Sequence, residues 1–444
     1  MKRTFLVIVM LIFLTQMYGQ NETTSVFSLN DCMLYALEHS TKVNAQNFTN
    51  SNYRQDRLSA LTSLFPSLSA SSSINTGYGR SIDPETNTYT NTANFSNGYS
   101  ASSSMTIFSG LSQINSYRAS RIAYIMGGEQ LQQIKDEVSL EVMQAYFDVV
   151  YYSEAAILAQ KQLETSRKTF EKDSKLEKLG LKSRADVLQI EAQYRSDEYN
   201  VIKQENAREL AISSLKEKMN YPVDQEIIID TRIYVDGDSD NVTLESIINY
   251  AMSNNPKLKA QQLSFKKSQL NYYATMGQML PTIRLNAGYS TGYYENLNST
   301  SAVTPYNKQL KDNQGYYWGA SISIPIFDGL YRQTNTRKAK NNVRIAEQNM
   351  IAAERALQSE IENNYNQMRG FRKEYIQTNV KVEAAELAYK ATTQKYEQGV
   401  ASPIDLQTSA NQLLQAKSEQ LNARLQYIIK SRLVDYYNGQ SLIK

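Results

Sequence analysis

Matching segments recur along this chain at two constant offsets. Ala36-Leu37 matches Ala251-Met252, Phe65-Pro66-Ser67-Leu68 matches Leu280-Pro281-Thr282-Ile283, and Gly77-Tyr78 matches Gly292-Tyr293, each pair 215 residues apart. Further along the offset becomes 219. Ile107-Phe108-Ser109-Gly110-Leu111 pairs with Ile326-Phe327-Asp328-Gly329-Leu330, Gly180 with Gly399, Ser183 with Ser402, and Asp186 with Asp405. An ordered series of this kind marks an internal duplication. The step from 215 to 219 places four extra residues in the second copy, between the regions of Tyr78 and Ile326. The fold must therefore be built from two similar halves, over 20–222 and 242–444, joined by an acidic linker over 223–241.

Each half reads in the same order. A first helix is expected over about 29–64 and 243–279, then a polar hairpin over 67–108 and 282–327. A very long helix follows, then a glycine turn at Gly180 or Gly399, then a returning helix to about 220 or 437. Between Leu111 and Pro222, and between Pro325 and Pro403, no proline interrupts the chain. Ile134, Val138, Val142, Ala145, Val149, Tyr152, Ala156, Ala159 and Leu163 follow spacings of four and three, the seam of a coiled coil. Leu406, Ala410, Leu413, Ala416, Gln420, Ala423 and Tyr427 repeat it on the last helix. Gly127-Gly128 is the expected point of a kink or break. Ser402-Pro403-Ile404-Asp405 and Ser183-Arg184-Ala185-Asp186 both read as capping boxes. In the linker a short strand is expected at Ile227–Ile229, and Asp236-Gly-Asp-Ser-Asp lacks the distal glutamate of a calcium loop.

The hairpins alternate. Leu68, Ala70, Ser72, Ile74, Thr76 and Tyr78 oppose Ser67, Ser69, Ser71, Ser73 and Asn75, and Tyr99, Ala101, Ser103, Met105 and Ile107 oppose Ser100, Ser102, Ser104 and Thr106. Ile283, Leu285, Ala287 and Tyr289, then Trp318, Ala320, Ile322, Ile324 and Ile326, form the apolar sets of strands three and four. Successive side chains of a strand face opposite sides, so each strand has one apolar and one small polar face. Only Arg284 brings a charge to them. Twelve residues at about 3.3 Å each span roughly 40 Å, enough to cross a bilayer at the usual tilt. Tyr78, Tyr99, Tyr289, Tyr293, Tyr294, Tyr316, Tyr317 and Trp318 cluster at one end as an aromatic girdle, and polar loops over 81–94 and 295–314 join the strands there. Four strands cannot close a barrel, and an open edge in lipid leaves backbone groups unpaired at several kcal/mol each. The chain is therefore expected to oligomerise: a dimer gives eight strands, a trimer twelve and a pore.

Composition narrows the function. Lys2-Arg3 followed by an uncharged apolar run from Phe5 to Leu14 reads as a secretory signal peptide over 1–19. One cysteine (Cys32) forms no internal disulfide, and one histidine (His39) makes a histidine metal site or triad improbable. Net charge is +3, from 47 basic against 44 acidic residues, which points to no nucleic-acid partner. No paired catalytic motif, phosphate loop or metal cluster stands out, so neither an enzyme nor a cofactor is expected. The alternative is a non-channel structural coiled-coil protein of the cell envelope, which leaves the hairpins unexplained.

Hairpin, long helix, glycine turn and returning helix, twice over, resembles the TolC family of outer-membrane efflux proteins. The most specific residues are Tyr396-Glu-Gln-Gly399-Val-Ala-Ser-Pro-Ile-Asp405-Leu and Leu179-Gly180-Leu-Lys-Ser-Arg-Ala-Asp186-Val-Leu, with Asn254-Asn255-Pro256 in support. The resemblance implies a mostly α fold with a small β part. Three chains would share a twelve-stranded transmembrane barrel and a coiled-coil helical barrel, in the outer membrane of a Gram-negative-type cell, with the helices in the periplasm. It implies contact with outer-membrane lipid, and docking of a periplasmic adaptor protein and an inner-membrane pump or ABC transporter at Gly180, Leu181, Gly399 and Val400. It further implies a gate: Asp405 ringing the aperture, and Tyr396 with Asp186 tying neighbouring helices closed. Thr408 stands where a second ring acid is usual, and Ala401 and Ala185 replace an Arg and a Thr of another closing link.

Overall fold

A computed structural model describes residues 26–82, 87–232, 243–298 and 302–443. The expected signal peptide, the Asp236–Asp240 segment and the crest of the first hairpin loop lie outside the described residues. The elements run β1 (Val26–Phe27), α1 (Leu29–His39), α2 (Thr41–Thr62), β2 (Ser67–Ile82), β3 (Tyr89–Ser109), α3 (Ser112–Lys178), α4 (Arg184–Met219) and β4 (Ile228–Ile229). They continue with α5 (Leu244–Asn254), α6 (Pro256–Gly277), β5 (Thr282–Asn296), α7 (Tyr306–Asp312), β6 (Gly315–Ser323), α8 (Tyr331–Glu397) and α9 (Pro403–Tyr437). The first helix of each half is thus two helices. The breaks fall at Ser40 and Asn255, whose ψ angles of 122° and 123° leave the helical region. At the second break Pro256 disfavours a helical conformation in the residue before it. Contacts divide the chain into two units, one of residues up to Ala45, Gln132–Asn255 and Ala356 onward, the other of Gln46–Leu131 and Pro256–Arg355.

The first unit is helical. Along α3 the expected seam is buried at Val138, Val142, Ala145, Val149, Ala156 and Ala159, and along α9 at Leu406, Ala410, Ala416, Ala423 and Tyr427. Phe147, Met33, Leu215, Met219 and Ile247 are its largest fully buried side chains. In the linker, β4 pairs in parallel with β1, Val26 opposite Ile228 and Phe27 opposite Ile229.

The second unit holds an antiparallel sheet in the order β2-β3-β5-β6. Here α3 runs unbroken through Gly127-Gly128, against the expected kink. Gly127 serves a close approach instead: a Cβ there would sit 2.4 Å from Asn50 Oδ1 and 2.8 Å from the Tyr53 ring. The strands exceed their expected lengths, except the fourth. It stops at Ser323, so Ile324 and Ile326 lie beyond it, because Pro325 cannot donate to a ladder. Their greater length also brings Arg80 and Glu295 into strands. Ile107 is the extra residue of a bulge between Thr106 and Phe108, out of the alternation expected for it.

The register sorts the two faces. Leu68 lies level with Ser103, Ala287 and Trp318, and Ala70 with Ala101, Tyr289 and Tyr316. One face therefore carries the apolar set, where Tyr78, Tyr316 and Trp318 stand exposed. The other carries mainly Ser, Thr, Asn and Gly, with Arg284 level with Thr106 and Ser321. Across it Ser67–Ser104, Ser69–Ser102 and Ser71–Ser100 join hydroxyl to hydroxyl at 3.0, 3.0 and 2.7 Å. Tyr294 and Tyr317 fall on this polar face, opposite Ser96 and Gly288, and so leave the aromatic girdle. Tyr317 lies across Gly288, where a Cβ would meet its ring at 2.5 Å.

Candidate functional site

The two glycine turns close with one geometry. Gly180 N–H donates to Glu177 O at 2.8 Å and Leu181 N–H to Leu176 O at 2.9 Å; Gly399 N–H donates to Tyr396 O at 3.0 Å and Val400 N–H to Lys395 O at 2.9 Å. This is the Schellman motif, which needs a left-handed residue after the last helical turn. Gly180 and Gly399 supply it with φ of +74° and +73°, and no atom of the described residues crowds either position. The residue that follows is left bare: Leu181 is 71% exposed and Val400 74%.

Each turn leads into a capped helix. Ser402 and Asp405 form a full capping box: the Ser402 hydroxyl and N–H donate to the Asp405 carboxylate at 2.7 and 2.9 Å, and Asp405 N–H donates back to Ser402 Oγ at 3.2 Å. Those two bonds from Ser402 hold the exposed Asp405 carboxyl below the usual carboxylate range. At the first turn only half the box forms. Ser183 Oγ accepts from Asp186 N at 3.1 Å, without the reciprocal bond expected of Asp186.

Tyr396 is buried between α3 and its own helix, and its hydroxyl donates to Asp173 Oδ2. The expected partner, Asp186, acts on the phenol only as a neighbouring charge. Burial first, then the Asp173 carboxylate, raises the Tyr396 pKa above that of a free phenol. Lys182 completes the group, with Nζ 3.7 Å from Asp173 Oδ2 and 3.9 Å from the centre of the Tyr396 ring. Ile190, Leu406, Phe170, Tyr389 and Ala401 pack beside it. The sequence reading missed Asp173 and Lys182. Asp173 had a signal, because the α3 seam continues past Leu163 through Ser166, Phe170 and Asp173 at spacings of three, four and three. An acid on a seam is a buried acid.

A second buried acid lies farther along α4. Asp197 accepts from Gln193 Nε2 at 2.7 Å and Gln162 Nε2 at 3.4 Å, and Ser166 also hydrogen-bonds it. Gln407 Nε2 donates in turn to Gln193 Oε1, which ties α9 into the layer. Burial raises the Asp197 pKa against the pull of those bonds. Its folded state therefore binds a proton more readily than the unfolded chain, and stability falls as pH rises from about 4 through its folded pKa. Asp197→Asn is expected to remove that slope. Thermal melts followed by helix circular dichroism from pH 4 to pH 8 check it: the difference between variant and parent should grow with pH in the variant's favour. A constant difference would discard the titration.

A family model described as outer membrane efflux protein matches residues 247–435. The chain is 24% identical over 300 residues to the outer membrane protein TolC of Vibrio cholerae, a match covering 65% of each. It is 21% identical over 329 residues to the alkaline protease secretion protein AprF of Pseudomonas aeruginosa, covering 73% of this chain and 66% of that one. Among solved structures, the outer membrane protein VceC of Vibrio cholerae superposes with a TM-score of 0.80 at 15% identity, over 93% of this chain and 96% of the other. Strand order, twin Schellman turns and capped returning helices thus sit on a fold already known from an outer-membrane protein. The chain is thus similar in sequence to outer-membrane efflux proteins over the matched segments, and it has the fold of VceC.

Proposed function

We propose that this chain is the exit duct of a tripartite efflux or type I secretion assembly. It would passively conduct substrates from a periplasmic adaptor and its inner-membrane pump or ABC transporter to the outside. The observation that carries this reading is the sheet, four strands with one apolar face, one hydroxyl-rich face and two free edges. Closure needs further copies, and three give twelve strands around a water-filled lumen.

The junction below the sheet supports a ring. Gly110, which follows the first hairpin, lies backbone to backbone against Gly277 at the end of α6: a Cβ on Gly110 would sit 2.1 Å from Gly277 O. Under the duplication, Gly329 is the counterpart of Gly110 and Thr62 that of Gly277. Among the described residues, nothing lies within 4 Å of a Cβ at Gly329. The contact made between the halves of one chain is thus open at the chain's far side, where the next copy would supply Thr62.

In the helical unit, Leu181 and Val400 are apolar knobs held by Gly180 and Gly399, suited to an adaptor. Three Asp405 carboxylates would ring the aperture, with Tyr396 holding the helices beneath and Asp186 adding its charge. Purified protein in planar bilayers should conduct, with the mass of a trimer by light scattering. Asp405→Asn should lower cation selectivity and block by multivalent cations, while the side-chain acceptor of the cap is kept. A conducting trimer whose selectivity ignores Asp405 would leave that residue a cap alone. A monomer without conductance would overturn the duct.

A further inference from the structure

The strands that form the two free edges differ in length. β2 has 16 residues and β6 has 9. When the next copy's β2 follows β6 around a ring, at least seven β2 residues have no strand opposite them. In the second half of the chain, α7 stands where the rest of β6 would run. Gln309 treats β5 as a strand would: its Oε1 accepts from Tyr294 N at 3.0 Å, and its Nε2 donates to Tyr294 O at 3.0 Å. Asn313 Nδ2 donates to Gly292 O at 2.8 Å, and Thr291 Oγ1 donates to Leu310 O at 2.6 Å. The Tyr306 and Tyr99 hydroxyls share a hydrogen bond of 2.8 Å, and the Tyr306 ring packs on Tyr293. Five of these six contacts fix α7 and its C-cap Asn313 to the edge of β5 above the end of β6, and the Tyr99 bond reaches β3.

The geometry points to α7 as a wedge between copies: its outward side docks on the upper part of β2 of a second copy of this chain. The occupant follows from continuity, since β6 and α7 lie along one edge and the neighbour's β2 must pass both. Its chemistry matches as well. Asn307, Lys308 and Lys311 are exposed, away from the Gln309 contact; toward an unpaired strand edge Asn307 can accept and donate as Gln309 does toward β5, and the two lysines can donate to its carbonyls. The inference rests on the barrel reading above.

Disulfide trapping tests it. Within one chain β2 lies three strand positions from α7, roughly 14 Å at about 4.8 Å per strand, beyond the reach of a disulfide. A bridge between them must therefore join two copies. Cys32 is fully buried and its thiol is pushed up to about 12, chiefly by burial, so it stays silent. Asn307→Cys combined in turn with Ile74→Cys, Thr76→Cys and Tyr78→Cys in the full chain should give cross-linked dimers and trimers under mild oxidation. Ser321→Cys with Ser69→Cys or Ser71→Cys serves as the control for the β6–β2 seam. Control bridges without any α7 bridge overturn the wedge and leave the barrel. No bridge of either kind in a monomer overturns both.

Discussion

Valine at Gly110 is expected to prevent folding of the sheet-bearing unit, whereas valine at Gly329 should spare the chain and block only its assembly. At Gly110 the new Cβ would meet Gly277 O at 2.1 Å and Leu280 Cβ at 2.8 Å, at a φ of +62°. The left-handed conformation costs a branched residue about 1–2 kcal/mol, and a collision with backbone costs about 1–3 kcal/mol more. The neighbour cannot yield by a rotamer change, because it is itself main chain. At Gly329 only the conformational cost applies within a chain, since nothing is near. If the next copy brings the Thr62 region there, the collision returns at the interface. Membrane yield and protease resistance report the first effect, and light-scattering mass the second. Equal loss of folded chain in both variants would break the proposed equivalence of the two junctions.

Lys182→Met should loosen the helical tip most, Tyr396→Phe less, and Asp173→Asn least. Asp173 is 1% exposed and depends on the Lys182 charge and the Tyr396 hydroxyl. Removing one partner of a buried ion pair costs about 3–5 kcal/mol, because the remaining charge stays in a poor solvent. Loss of the Tyr396 donor costs about 1–3 kcal/mol. Asp173→Asn removes the buried charge together with the need for the pair and keeps an acceptor for Tyr396. In the duct reading, the same order should appear as rising open probability in bilayers alongside falling thermal midpoints. Asp186→Asn is the decisive comparison. If it and Tyr396→Phe open the channel while Lys182→Met leaves it shut, the tie runs through the residue expected from the sequence.

The repeated order of elements, the apolar and hydroxyl faces, the long seams and the twin glycine turns were legible because each rests on local periodicity or a local backbone demand. What escaped depends on distant neighbours. Gly127-Gly128 reads as a break until Asn50 and Tyr53 are seen to fill the space beside Gly127. Tyr294 and Tyr317 look like girdle residues until the register assigns their face. α7 hides in a stretch that composition reads only as a polar loop. It is a helix because Gln309 and Asn313 find the free edge of β5. At the tip, the motif located Tyr396 but not its partner, since Asp173 lies 223 residues away in sequence.

The three serine pairs that cross β2 and β3 bear on friction. A hydroxyl already joined to another hydroxyl has less to offer a passing solute, and the short side chains of these rungs leave little to lodge against. In a duct lined this way, molecules slide without lingering at any rung, so throughput depends weakly on what they are. If the chain is the proposed duct, selection of cargo falls to whatever loads it, and one such wall can serve chemically unlike passengers.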